Sequence, residues 1–354
     1  MTIFFAILLF SFLIFIHELG HFVAAKASGV RVNEFSMFMG PAIFKKQVGD
    51  TLYAIRCIPI GGYCAMEGEN EDTDDPHSFQ KAAWWKRLII LVAGSFMNLV
   101  AGFLILAIVF APAKQFAMPV IDFAEPGCTV IRDGGLQVGD EILEVDGEKI
   151  YVQSDFSMML QLNPGDSHDI VVKRDGKKLV FDNYKMEKHL FLDAETGKEV
   201  ERYGFSFGIE DATFGNKLKY TWNTGINVVR SVRLSLQMMF SGQAGLKDMT
   251  GPVGIMQIMS DTAESSATKT EAVLNVLYIG GFLAINLAVM NMLPIPALDG
   301  GRVVGLLLTC AIEKIIRKKL DAKYEGYIHG IGMILLLALM GLILFKDIFV
   351  IFKR

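Results

Sequence analysis

Four apolar runs constrain this chain more than any other feature of its sequence: Met1 to about Ala25, Leu88–Phe110, Ala272–Leu293 and Tyr327–Phe345. About 20 apolar residues make a helix long enough to cross a bilayer. In hydrocarbon such a segment must satisfy its own backbone, which a helix does. The expected fold is a polytopic α-helical membrane protein with about four transmembrane helices. Composition agrees, with 52% of the 354 residues hydrophobic and a mean hydropathy of +0.39. Ala25-Lys26-Ala27 could pass as a leader-cleavage site, but no Lys or Arg precedes Lys26. A leader needs that positive start, so the first run reads as a retained span. The net charge of −4, with no long basic run, gives nucleic-acid binding no support. Cys57, Cys64, Cys128 and Cys310 form no C-x-x-C pair, and no disulfide framework is expected.

The remaining segments follow from pattern changes. Residues 30–66 alternate like strands, in Val30–Phe35 and Thr51–Ile58, with turns expected at Gly40-Pro41 and Gly49-Asp50. Glu67, Glu69, Glu71, Asp72, Asp74 and Asp75 read as a solvated acidic linker, and Trp84, Trp85, Lys86 and Arg87 as an interfacial anchor. Residues 112–215 carry charge throughout, short strands and Gly- and Asp-rich turns, which indicates a soluble α+β domain. Residues 216–271 hold an amphipathic helix from Trp222 to Phe240 and a break at Gly251-Pro252-Val253-Gly254. Val303–Ile312 is apolar but too short to span, so a re-entrant or buried helix is expected. The organisation expected is 1–111 with the first two spans, 112–215 the soluble domain, 216–271 linker helices and 272–354 the last two spans. The loop between spans one and two carries Lys26, Arg31, Lys45, Lys46, Arg56, Lys81, Lys86 and Arg87. Arg302, Lys314, Arg317, Lys318, Lys319 and Lys323 lie between spans three and four. Short positive loops stay inside, so both should be cytoplasmic, with residues 112–271 and both termini outside.

The first span contains the stretch with the most chemistry, Phe15-Ile16-His17-Glu18-Leu19-Gly20-His21-Phe22. A single acidic group at a helix centre costs about 2.5–3.5 kcal/mol on insertion scales, so these polar groups need a use. His17 and His21, four residues apart, share one helix face. Glu18 lies about 100° round the axis from His17, where it can reach water at a metal without being a ligand. This is the H-E-x-x-H pattern of zinc hydrolases. A catalytic zinc takes three protein ligands. His77, His168 and His189 fall in the acidic loop and the outside domain, whereas His329 lies just inside the fourth span and competes. Asp299 is preferred, because it follows two prolines at the cytoplasmic end of span three and precedes Gly300-Gly301. Such a broken backbone is tolerated at membrane depth only where it lines a buried or watered cavity.

Phe15-x-x-His17-Glu18-x-Gly20-His21 together with Asn291-x-x-Pro294-x-Pro296-x-Leu298-Asp299-Gly300-Gly301 resembles the site-2 protease family of intramembrane zinc metalloproteases. The soluble domain between spans two and three resembles the RseP/RasP branch, which carries PDZ domains there. Gly135–Gly147 looks like the core of a single such domain. The resemblance implies cleavage of transmembrane segments, with anti-sigma-factor or signal-peptide remnants as substrates. It implies Zn2+ held by His17, His21 and Asp299, with Glu18 activating the water at the metal. It supports Asn291 as a donor to the oxyanion, with Asn286 a weaker candidate whose ordinary role is an interhelical hydrogen bond. It makes residues 30–66 a membrane-associated β-element in which Gly61, Gly62 and Tyr63 approach substrate, equally readable as a cytoplasmic turn. Gly94 and Asn98 resemble the family's second-span motif, with packing the expected role. The partners implied are a membrane-protein helix, the lipid bilayer, and a peptide or substrate ectodomain at the PDZ-like domain. Two other classes stay open: a transporter using intramembrane His and Asp, against which the absence of repeated spans argues, and an inactive scaffold, against which an intact Glu18 argues.

Overall fold

The computed structural model describes residues 2–69, 73–192, 198–245, 249–317 and 323–353. Glu71, Asp72, Lys318 and Lys319, and the side chain of His329, lie outside the described residues. The chain divides into two compact units, Met1–Val109 with Val228–Arg354, and Phe110–Asn227.

The first unit starts with α1 (Thr2–Ser28), followed by β1 (Val32–Val48), β2 (Thr51–Met66) and α2 (Trp84–Phe110). After the second unit it resumes in α4 (Phe214–Phe240), which begins in the second unit, then α5 (Pro252–Glu264), α6 (Lys269–Asn291), α7 (Asp299–Ile316) and α8 (Lys323–Lys353). Among the described residues four helices are long and apolar enough to cross a membrane: Phe5–Ser28, Trp84–Phe110, Lys269–Asn291 and Gly326–Asp347. Helices in lipid gain little from apolar burial against each other, so small residues that admit close approach set the packing. A Cβ on Gly20 would overlap the Ala93 carbonyl of α2. On the other side of α2, Gly102 faces Ile285 and Gly281 of α6, and Leu13, Ile105, Leu283 and Ala284 close the core between the three helices.

Several elements run further than the pattern suggested. The second span takes in the Trp84-Trp85 anchor, and the amphipathic helix α4 starts at Phe214 rather than Trp222. The Gly251–Gly254 break is the start of α5, where Pro252 takes the first turn that needs no N–H. The short apolar helix extends to Asp299–Ile316. Gly40-Pro41 is not a turn but a bend inside β1: Phe38 and Gly40 take φ of 70° and 84°, and the pairing shifts register between Met39 and Ala42. The chain therefore doubles back within the β-element. Residues 34–37 lie beside 62–65 and also keep step with 52–55, while 42–48 return along 51–56. This leaves 62–66 as one margin of the sheet. Phe35 packs at 5.8 and 4.9 Å from Phe15 and Phe22 of α1, ring centre to ring centre, and so fixes the sheet to that helix.

The second unit contains β3 (Gln115–Ala124), β4 (Glu141–Val145), β5 (Glu148–Lys149), α3 (Gln153–Leu162), β6 (Ser167–Arg174), β7 (Lys177–Lys185), β8 (His189–Leu192), β9 (Glu199–Arg202) and β10 (Phe205–Asp211). Its main sheet has the order β10-β3-β4-β6-β7, with β5 on β4, so β10 is an edge. Leu136, Ile142, Val145, Ile170, Val172 and Met159 make its core. Asp140, fully buried, receives Arg174 through Nε and Nη2, each at 2.7 Å. That two-pronged contact holds the Arg174 guanidinium firmly in its charged form, through its hydrogen bonds to Asp140. A groove of about 600 Å³ runs between α3 and β10, lined by Phe156, Leu160, Phe205 and Phe207 with Lys188 and Arg202.

Candidate metal centre

The α1 helix carries His17 and His21 one turn apart, and α7 opens on Asp299. The intervening chain brings them together. After α6 ends, short hydrogen bonds from Ile295 N to Leu293 O at 2.7 Å and from Leu298 N to Ile295 O at 3.1 Å fold the Pro294–Leu298 stretch into a tight turn. Gly300 and Gly301 lie directly against the carbonyls of Met292 and Ile295, where any Cβ would overlap them. Two glycines after the aspartate are therefore the condition for α7 to start so close to the end of α6. The Arg302 guanidinium, one turn into α7, pairs with Glu69 after the β-element and ties the two segments together.

His17 Nε2, His21 Nε2 and Asp299 Oδ2 form a nearly equilateral triangle. The histidine nitrogens are 3.2 Å apart, and the carboxylate oxygen is 3.2 Å from one and 3.3 Å from the other. Asp299 Oδ2 is buried with no well-directed hydrogen bond. A tetrahedral zinc with bonds of about 2.0–2.1 Å spaces its donors about 3.3–3.4 Å apart, so the donor heads fit that ion. His21 Nδ1–H donates to the Ile90 carbonyl at 2.8 Å, which fixes its proton there and leaves Nε2 with a free lone pair. Glu18 lies within electrostatic reach of both histidines and Asp299. Among the described residues, these three ligand-type side chains are the only group able to hold a metal ion.

Helix α2 passes beneath the two imidazoles. Ile90, Gly94 and Asn98 follow one another at four-residue steps on its buried face. A Cβ on Gly94 would overlap His21 Nε2 and come within 2.8 Å of His17 Cε1. Asn98 Nδ2 is 3.4 Å from His17 Nδ1. In the sequence, Gly94 and Asn98 read as packing residues, and nothing marks the Ile90 carbonyl, a backbone group that any residue carries. A polar side chain four residues beyond a glycine, in an otherwise apolar span, was the available signal for Asn98.

The margin of the β-element runs alongside. A Cβ built on Gly62 would sit 3.5 Å from Glu18 Cγ, so this backbone lies against the acid. Gly61 takes φ of +79°, beneath Met39. Tyr63 stacks under the Arg56 guanidinium, 5.4 Å from ring centre, and burial together with Glu34 pushes its hydroxyl up from the ordinary phenol range. Asn286 and Asn291, both half-buried, are five residues apart on α6, about 140° round its axis from one another. Among the described residues neither hydrogen-bonds to the triad.

Residues 5–339 match the sequence model of peptidase family M50. The chain belongs to peptidase family M50. Similar proteins cover it nearly end to end. A candidate zinc metalloprotease of Clostridium perfringens is 36% identical over 350 residues, 98% of each chain. The zinc metalloprotease RasP of Shouchella clausii is 28% identical over 423 residues, 97% of each chain. The regulator of sigma-W protease RasP of Bacillus subtilis is 25% identical over 428 residues, again 97% of each. With four apolar helices among the described residues, this M50 chain is a multi-pass membrane zinc metalloprotease.

Proposed function

We propose that this zinc metalloprotease cleaves membrane-embedded segments of other proteins, and that His17, His21 and Asp299 hold its Zn2+. The observation that carries this is the triangle of three donor atoms 3.2–3.3 Å apart on an apolar helix and its neighbour. Zinc and proteolysis in the names of the relatives support it. When bound, zinc supplies a Lewis acid that polarises the scissile carbonyl and lets water ionise near neutral pH. Glu18, the residue after His17, takes the proton of the attacking water and returns it to the leaving amide nitrogen. Asn291, at the end of α6, is assigned to the oxyanion.

A peptide bond inside a helix must be unwound before attack. The 62–66 margin of the β-element, with the Gly62 backbone against Glu18, suits an extended segment that adds as a further strand. Gly61 and Tyr63 shape that margin. The second unit is assigned as a PDZ-like domain outside the cell. Its groove between α3 and the edge strand β10 accepts a peptide end or an ectodomain remnant. With both termini outside, the metal lies toward the cytoplasmic side, and anti-sigma-factor or signal-peptide remnants fit as substrates.

Glu18→Gln tests the reading. The variant should retain zinc and lose cleavage of a tagged membrane substrate. Persistent cleavage would refute the assigned base, and a wild-type chain purified without stoichiometric zinc would refute the metal.

A further inference from the structure

We infer that Asn98 is a positioning residue for the metal, holding His17 through an amide oxygen in the way that the Ile90 carbonyl holds His21. This rests on the zinc reading above. A histidine that gives its Nε2 lone pair to a metal carries its remaining proton on Nδ1, and that proton needs an acceptor. His21 has one in the Ile90 carbonyl, at 2.8 Å. His17 Nδ1 faces the terminal amide of Asn98 at 3.4 Å, on a side chain only 1% exposed. With Nδ2 turned to His17, a donor would face a donor, and Asn98 Oδ1 has no hydrogen-bond partner. Half a turn about the last side-chain bond exchanges the two atoms without changing the shape of the amide. His17 Nδ1–H then donates to Asn98 Oδ1, and both histidines aim Nε2 at Asp299 Oδ2.

The same stripe of α2 thus performs three tasks at four-residue intervals. Ile90 accepts from His21, Gly94 makes room for both rings, and Asn98 accepts from His17. Packing alone would not need an oxygen at position 98. Leucine keeps the branched outline of the amide but is bulkier and carries neither acceptor nor donor, so the volume-reducing Asn98→Ala belongs beside it as a control.

The test compares zinc affinity of the full chain in detergent, by competition with a chromophoric chelator, for wild type, Asn98→Leu, Asn98→Ala and Asn98→Asp. Asp keeps an oxygen where Asn98 presents one, whereas Leu does not. The expected result is a 10- to 100-fold loss for N98L, the range seen when outer partners of metal-bound histidines are removed, with N98D within about threefold of wild type. Cobalt-loaded N98L should also show an altered visible spectrum, which reports the ligand field independently of turnover. Unchanged affinity in N98L, or an equal loss in N98D, overturns the inference. Asn98→Ala is judged by the same criterion as N98L, and decides alone if N98L does not fold. A wild type that binds no zinc refutes the underlying reading, whereas tight wild-type binding with an indifferent N98L refutes only the role of Asn98.

Discussion

Gly94→Ala puts one methyl group where helix α2 passes under the metal-binding rings. The new Cβ would overlap His21 Nε2 and stand 2.8 Å from the Cε1 atoms of His17 and His21, where ordinary contact begins at 3.4 Å. The rings or the helix must therefore yield by at least about 0.6 Å, against a tolerance for metal–ligand distances of about 0.2 Å. The helix cannot simply back away, because on its other side Gly102 is already against Gly281 and Ile285 of α6. Overpacking of this kind costs about 1–3 kcal/mol, and here it falls on the donor atoms. Zinc affinity should drop at least about tenfold, equivalent to about 1.4 kcal/mol. Gly102→Ala is the control. Two turns further along α2, its Cβ meets the Ile285 side chain of α6 rather than a histidine, so it should lower thermal stability and leave zinc affinity unchanged. Isothermal or chelator titration of both purified variants decides. G94A binding zinc as tightly as wild type would refute the placement of α2 beneath the site.

Three further outcomes concern stability. Arg174→Ala leaves the buried Asp140 carboxylate without its cation; breaking a buried pair from one side costs about 3–5 kcal/mol, and the lower end is expected because Arg174 remains 23% exposed. Hydrogen exchange across β4 and β6 in the full chain should speed accordingly. Tyr184→Phe removes a hydroxyl that donates to the Val130 carbonyl at 2.5 Å and accepts from Leu136 N at 3.1 Å; two buried groups left unpaired cost about 1–3 kcal/mol each, measurable by urea-dependent proteolysis of residues 110–227 in the intact protein. Asp347 of α8 accepts from Gly254 N in the first turn of α5 at 3.0 Å, so Asp347→Ala should cost about 0.5–2 kcal/mol as a lost cap and lower the melting temperature in detergent, while Asp347→Asn, which keeps an acceptor, should restore most of it.

How much could be read in advance depended on how local the cause was. The spans were legible because hydrocarbon forces a helix on any apolar run of that length. The grouping of His17 with His21 was legible because their spacing is a helical face, and its meeting with Asp299 because a Pro-rich break beside Gly300-Gly301 is costly in a membrane. The doubling of the β-element was not. Gly40-Pro41 looks like any turn, and whether the chain ends a strand or bends within one depends on partners almost twenty residues away. Nor was the role of Gly94, since a glycine in a span reads as packing until it is known which rings lie above it.

The triangle of donors also has a topological consequence. His21 and Asp299 are separated by about 280 residues, and an ion held between them closes the chain into a loop of that size. In a free polymer such a cross-link restricts the unfolded ensemble by about 5–6 kcal/mol. Four membrane spans already confine the ends, so part of that constraint exists before the ion arrives. What the ion adds falls on the turn from α6 into α7, which carries Asp299 to the histidines of α1. Loss of metal should therefore loosen the chain first at Pro294–Arg302, and the protein would register the ion as a fastening of its own fold.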